Sequence, residues 1–134
     1  MVQHGPNRER LSETRKALTH RFEIEGHKGY VIVGLYDDGR PGEVFFKMAK
    51  MGSTVSGLLD EWAITISLAL QYGVPITILC RKHIGNRYEP YGRTVNPEIA
   101  MTKSIGDYIF RWLEKKFVLE EERTLTDELA LQES

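Results

Sequence analysis

Cysteine is nearly absent from this chain, since its 134 residues contain only Cys80. A single thiol excludes an internal disulfide, a zinc site built from several thiolates, and any mechanism that needs two thiols within the chain. Because Cys80 ends an apolar stretch, we expect it to be a buried, inert thiol rather than a nucleophile.

Long hydrophobic runs and a strong excess of one charge are missing as well. No segment reaches the roughly 18–20 apolar residues that a membrane-spanning helix needs. Residues 1–8 lack the apolar core of a secretory signal. The formal net charge is −1, which argues against nucleic acid or an anionic membrane surface as the partner. We therefore expect a cytoplasmic protein that acts away from membranes.

The charges that are present are distributed unevenly. Residues 1–21 hold five basic and two acidic residues, whereas residues 118–134 hold six acidic residues and one basic residue. We predict a basic N-terminal arm at 1–18, an α+β domain at 19–117 and an acidic C-terminal tail at 118–134. The two ends are either solvated or in contact with each other or with neighbouring subunits.

The first part of the domain has the composition of strands. Its segments are rich in β-branched and aromatic residues or alternate polar with apolar ones, and turn-forming residues separate them. This pattern predicts a small antiparallel β-meander, with strands at 21–24, 30–36 and 43–48.

A helical period follows, because apolar residues recur every three or four positions over 54–72. Ser53 or Thr54 is the expected cap of this helix, and Gly73 its left-handed end. Ile64 and Leu68 fall outside the main apolar stripe, so the helix is either central or buried at a subunit contact.

The remaining segments complete the α+β prediction. The sequence predicts a strand or extended segment, a long loop, a second long helix and a short helix in the tail, over 74–80, 84–97, 98–117 and 126–132 respectively. The meander would pack against the two long helices, with Trp62 and Trp112 in the core.

Two segments are candidates for binding a nucleotide or its phosphate. The first is the start of the helix, with Lys50, Gly52, Ser53 and Thr54. A helix start presents free N–H groups and partial positive charge, and glycine lets a phosphate approach the backbone. The segment lacks the pattern of nucleotide hydrolases, and an ordinary turn and cap is the favoured interpretation.

The second candidate is a loop that interleaves arginine with tyrosine. Arg87, Tyr88 and Arg93 could stack on a base and pair with phosphate. The same residue types also anchor loops and contact other proteins, because Tyr and Arg are favoured at interfaces.

No catalytic or metal-binding set is evident in the sequence. The histidines lack a metal-ligand spacing, and Cys80 with His83 makes half a site at best. Asp60 and Glu61 are adjacent on a helix and point in different directions, so they do not form a pair for acid–base catalysis.

Several blocks of the chain occur together in one order, at 26–30, 33–36, 41–45, 48–50, 52–58, 69–75, 87–90, 96–99 and 103–113. They include Gly-Ser-Thr-Val-Ser-Gly-Leu at 52–58 and Lys-Ser-Ile-Gly-Asp-Tyr at 103–108. With these blocks, residues 19–113, about three quarters of the chain, resemble the C-terminal accessory domain of adenosylcobalamin-dependent ribonucleotide reductases, often called the TSCPD domain.

The resemblance implies a role in deoxyribonucleotide synthesis. The family's whole enzyme uses a cobalamin-derived cysteine radical and a cysteine pair, which belong to a catalytic barrel and a cysteine-rich tail. Neither is found in this sequence, and residues 102–107 lack the cysteine of the family's T-S-C-P-D motif.

The chain is therefore expected to be non-catalytic by itself, with adenosylcobalamin confined to the family's catalytic domain. It would assist or regulate a reductase chain. The alternatives are a free-standing module that binds a nucleotide-type small molecule, and an assembly domain of a homo-oligomer.

Overall fold

An antiparallel three-stranded sheet lies at the centre of the structure, a computed structural model that describes residues 7–118. Its strands are β1 (Ala17–Ile24), β2 (His27–Leu35) and β3 (Pro41–Met48), in the order β1-β2-β3. The predicted meander is confirmed. The predicted helix at 126–132 and nearly all of the predicted acidic tail lie outside the described residues, as do the first six residues of the predicted arm.

One face of the sheet forms the core and the other is open. Side chains alternate between the two faces of a strand, and the register places Thr19, Ile32 and Phe45 in one row of the open face. The opposite face carries the buried residues Phe22, Ile24, Val31, Val33, Val44 and Phe46.

Helix α1 covers Ser53–Gln71, close to the predicted 54–72. It packs along the outer edge of β3. Ser67 Oγ accepts a hydrogen bond from Val44 N at 2.9 Å and donates one to Val44 O at 3.2 Å. Gln71 Nε2 donates to Gly42 O at 3.0 Å. The helix therefore runs antiparallel to β3 and satisfies backbone groups that an edge strand would otherwise leave unpaired.

The sequence predicts both ends of α1, and only one of the two predictions is confirmed. Gly73 has a φ of +90°, so the left-handed end is confirmed. The predicted cap is wrong, because Gly52 occupies the N-cap position and no side chain there accepts a hydrogen bond from the first turn.

The predicted strand at 74–80 is also wrong, since residues Ile76–His83 form helix α2. The segment contains β-branched residues, which favoured a strand, but its burial has a helical period. Ile76, Leu79, Cys80 and His83 are turned inward, whereas Ile78 is exposed. Periodicity cannot separate a strand from a helix in so short an apolar run.

The second long helix is shorter than predicted. Residues Pro97–Ile99 form a 3-10 turn, β5 (Met101–Thr102) pairs with β4 (Gly92–Arg93), and helix α3 covers Ile105–Leu113. A π-helical turn, Glu114–Val118, follows. Asn96 caps the 3-10 turn and Ser104 caps α3, so the chain makes two separate helical starts.

Candidate functional site

The start of α1 is an open helix terminus. Its first turn has no side-chain cap and no acidic residue. Ser53 and Thr54 are exposed, and a side chain at Gly52 would project into empty space. The N–H groups of an uncapped first turn are left to solvent or to a ligand.

Lys50 lies just before this terminus, in a left-handed backbone conformation with a φ of +59°. The hydrogen bond from Ala49 N to Lys28 O, at 2.9 Å, ties the junction to β2. The exposed Lys50 ammonium adds positive charge near the open end of the helix.

Hydrogen bonds hold the second candidate segment, residues 87–93, against the start of α3. Tyr88 N donates to Lys103 O at 3.0 Å, and Tyr88 Oη accepts a hydrogen bond from Gly106 N at 3.0 Å. Ser104 Oγ donates to Asn86 O at 2.6 Å. Tyr88 therefore fixes its loop against the start of α3, which is the anchoring role that the sequence left open.

Arg87 and Arg93 remain exposed on either side of this anchor. The Arg87 guanidinium lies 4.4 Å from the centre of the Tyr91 ring. Glu25 holds the backbone of Arg93, accepting from Arg93 N through Oε1 at 2.7 Å and donating from its own N to Arg93 O.

The two candidate segments approach the same end of the sheet. One is tied to the β1–β2 turn through Glu25, and the other is tied to the start of β2 through Lys28. Within residues 7–118 no hydrogen bond or ion pair joins residues 50–54 to residues 87–93.

Asp107 joins the loops beside the start of α3, a role that the sequence did not predict. Its buried carboxylate accepts hydrogen bonds from Gly85 N at 2.8 Å, and from Lys103 N and Thr102 Oγ1 at 3.0 Å. Arg111 lies 3.3 Å away. Burial raises the pKa of this carboxyl, but the hydrogen bonds and the Arg111 charge outweigh burial, so its pKa is held below the usual value.

The available sequence signal for this region was the spacing of Ser104 and Asp107. Ser104 Oγ accepts from Asp107 N at 2.9 Å, which is the side-chain half of a capping box. The contact of Asp107 with Gly85 joins residues 22 positions apart in the chain and has no local signature.

A second buried cluster contains His20 and Tyr108. His20 Nε2 lies 2.8 Å from Tyr108 Oη, and the His20 ring stacks on Trp112 with centroids 4.6 Å apart. Asn96 Nδ2 donates to the same hydroxyl at 3.0 Å. Burial lowers the pKa of His20. This half-buried histidine is hydrogen-bonded to Tyr108 and stacked on Trp112, and Trp112 packs partly buried against the core.

Cys80 is enclosed, with only 1% of its surface exposed. Its Sγ donates to Phe110 O at 3.5 Å. Burial and the nearby Glu114 charge raise the pKa of the thiol to about 12. The prediction that Cys80 is buried is confirmed. Because the thiolate is the reactive form, the raised pKa is in keeping with the low reactivity that the sequence predicts.

Two kinds of feature are absent from the described residues, 7–118. Within them no group of three or more His, Cys, Asp or Glu residues could hold a metal ion. None of their helices has the length and apolar character needed to cross a bilayer.

These features define a small α+β domain in which a side chain caps the start of α3 but not the start of α1. A family model described as the TSCPD domain matches residues 5–117. The chain therefore belongs to the TSCPD domain family, and the resemblance drawn from its sequence is confirmed.

Relatives of the chain are named vitamin B12-dependent ribonucleotide reductase. The one from Rhodopirellula baltica is 52% identical over 112 residues, which are 84% of this chain and 11% of the relative. The one from Streptomyces avermitilis is 42% identical over 124 residues, 92% of this chain and 13% of the relative.

A relative from Bradyrhizobium diazoefficiens is 41% identical over 107 residues, 79% of this chain and 8% of the relative. The chain thus spans about a tenth of the length of these relatives. No solved structure matches it.

Proposed function

We propose that this chain serves a vitamin B12-dependent ribonucleotide reductase as an accessory domain, binding to the catalytic polypeptide without reducing nucleotides itself. Family membership and the names of the relatives support the link to the reductase. Their length leaves about nine tenths of the enzyme for the catalytic machinery. We also propose a cytoplasmic location for the chain in this role.

The observation that carries the non-catalytic part of the proposal is the state of Cys80. It is the chain's only cysteine, it is buried, and its pKa is raised to about 12. Its burial argues against radical transfer from adenosylcobalamin to a substrate, because a thiol that is 1% exposed cannot contact one. We assign no step through that cofactor to this chain, and the proposal places it in the catalytic polypeptide.

The experiment measures reduction of a ribonucleoside diphosphate by the Rhodopirellula baltica reductase from which the matching segment has been removed. Circular dichroism first establishes that the shortened enzyme is folded. We expect the added chain to raise its activity, and the Cys80→Ala variant to do so equally well. Reduction by the chain alone, or a loss of the stimulation in Cys80→Ala, would contradict the proposal.

A second candidate function is binding of a nucleotide through its phosphate at the open start of α1. The uncapped first turn, the absence of an acidic residue there and the adjacent Lys50 support it. Arg87 and Arg93 would add charge from the same end of the sheet, with Tyr88 positioning their loop. Such binding would regulate the reductase or sequester the nucleotide.

Thermal melting with a panel of nucleoside diphosphates, triphosphates and cobalamin tests this second function. A ligand that binds only the folded state raises the melting temperature. We expect nucleotides to raise it, and Lys50→Ala, Arg87→Ala or Arg93→Ala to reduce the rise without unfolding the domain. Calorimetry that detects no nucleotide binding to the wild-type chain would overturn it.

A further inference from the structure

The outer side of helix α1 carries apolar residues that the described part of the chain leaves uncovered. The inner side of the helix packs on β3, whereas Leu58 and Ile64 are each 60% exposed and Leu68 and Tyr72 are also exposed. At 100° per residue these four positions fall on one side of the helix, and they extend over about 21 Å along its axis. The helix is thus apolar on more than one side, as its sequence predicts.

A groove lies between these residues and the open face of the sheet. Its volume is about 440 Å³, and it is lined by Phe45 from β3 and by Ile64 and Leu68 from α1. Phe45 is itself exposed. Exposed apolar residues that are contiguous, unlike scattered ones, mark interaction sites. We call the groove and the four exposed residues of α1 the α1 surface.

The charges at the α1 surface have mixed signs. The groove is lined by charged residues of both signs, namely Arg8, Glu43, Lys47 and Asp60. Glu43 is already paired, because Arg15 Nη2 donates to Glu43 Oε1 at 3.0 Å. Nucleic acid and anionic membranes select surfaces of one sign, whereas an apolar centre with a polar rim is typical of contacts between proteins. The α1 surface therefore fits a protein.

A second copy of this chain is a poor match for the α1 surface. Glu61 is exposed among the apolar residues of the helix, and its carboxylate has no ion pair within residues 7–118. Asp60 and Glu61 are the only charged residues of α1, so a facing copy of the helix offers no basic residue. Burying an unpaired carboxylate is unfavourable. A different polypeptide, with a basic residue opposite Glu61, fits this surface better.

The relatives indicate which polypeptide this is. The family model spans residues 5–117 and includes all of α1. In the relatives the matching segment belongs to a chain about ten times longer, so their domain has the rest of a reductase polypeptide beside it. Interfaces between domains of one chain are more polar than permanent subunit interfaces, which agrees with the mixed charges at the groove.

We propose that the α1 surface is the place where this chain binds the catalytic polypeptide of a vitamin B12-dependent ribonucleotide reductase. An apolar segment of that polypeptide enters the groove between Phe45 and Ile64, and a lysine or arginine beside it pairs with Glu61. The inference rests on the proposed accessory role and adds to it the surface through which the two polypeptides bind.

Isothermal titration calorimetry against the Rhodopirellula baltica reductase without its matching segment tests this surface. Ile64→Glu should raise the dissociation constant by about tenfold or more, because it places an unpaired charge at the centre of the contact. Val95→Glu is the matched control and should bind like the wild type, since Val95 is also 60% exposed but lies in a loop after β4.

A charge reversal tests the pairing of Glu61. Glu61→Lys should weaken binding by about threefold or more, because it sets like charges against each other. Glu98→Lys makes the same change at an exposed residue of the 3-10 turn and should leave the affinity unchanged. Circular dichroism establishes that each variant is folded.

The outcomes separate the surface from the role. A wild-type chain that does not bind the shortened reductase would contradict both. Binding by the wild type that Ile64→Glu leaves unchanged, or that Val95→Glu weakens equally, would overturn the surface and leave the accessory role in place. Sedimentation equilibrium that shows a dimer of the chain alone, dissociated by Ile64→Glu, would assign the surface to a second copy and overturn the proposal.

Discussion

The starts of helices α1 and α3 differ in whether side chains of the chain itself bind the free N–H groups of the first turn. At α3, Ser104 caps the first turn, Tyr88 accepts the hydrogen bond of Gly106 N, and Asp107 binds two loops. At α1 no side chain caps the first turn, and the surrounding space is empty. A helix start satisfied by its own chain organises the fold, whereas an unsatisfied one remains available to a ligand.

This difference also separates the two segments that the sequence singled out. Residues 87–93 have the composition of a binding loop, but the Tyr88 hydroxyl accepts a hydrogen bond from Gly106 N at the start of α3. Residues 50–54 keep their polar groups exposed. We therefore expect mutations near α3 to change stability, and mutations at the start of α1 to change ligand binding.

The largest effect is expected at Trp62, through which the middle of α1 contacts β3, α2 and α3. Its ring lies 4.7 Å from Phe46 and 6.0 Å from Phe110, and its Nε1 donates to His83 Nε2 at 3.4 Å. Trp62→Ala should cost about 3–5 kcal/mol of unfolding free energy, as truncation of a packed aromatic does. Urea denaturation measures it, and a loss under about 1 kcal/mol would show that this face of α1 does not hold the domain together.

The second largest loss of stability is expected at Asp107, beside the start of α3. Asp107→Ala removes the acceptor of the partly buried donors Gly85 N and Lys103 N and one of the two acceptors near Thr102 Oγ1, which should cost about 2–4 kcal/mol. The same denaturation curve measures it. Equal stability of variant and wild type would mean that these loops do not need the carboxylate.

Asp107 should also give the domain a pH dependence. Because its folded pKa is lowered, its contribution is fully present above the unfolded pKa of about 4 and is lost as the pH falls through the folded value. The melting temperature of the wild type should therefore fall on acidification more steeply than that of Asp107→Asn. Parallel curves for the two proteins would contradict this assignment.

A matched pair of serines compares the two helix starts directly. Ser104→Ala removes a side-chain cap and should cost about 1 kcal/mol. Ser53→Ala at the start of α1 should change stability by less than about 0.5 kcal/mol, because Ser53 caps nothing. A larger loss in Ser53→Ala than in Ser104→Ala would reverse the comparison.

The smallest effect has the opposite sign. Gly52 has an extended backbone and open space around it, so an aspartate fits there and can cap α1. Gly52→Asp should stabilise the free domain by about 0.5 kcal/mol, while abolishing any melting shift caused by nucleotides. If nucleotides still stabilise this variant, the start of α1 is not their site.

The parts of the fold that followed from the sequence are those with local causes. The meander and α1 have clear hydrophobic periods, and Gly73 supplies the positive φ that ends the helix. Helix α2 was missed because its apolar run is short and contains β-branched residues.

The contacts that close the start of α3 could not be predicted for a different reason. Gly85 and Asp107, or Asn86 and Ser104, are far apart in the chain and meet only through tertiary packing. The start of α1 remains a candidate binding site, and the cap expected there from Ser53 or Thr54 does not form.

The central claim is that this chain acts by binding to a reductase polypeptide. Isothermal titration calorimetry of the chain against the Rhodopirellula baltica reductase without its matching segment measures this directly. Saturable binding at one site per catalytic polypeptide is the predicted result. A titration with no heat above dilution, under conditions where both partners are folded, would contradict it.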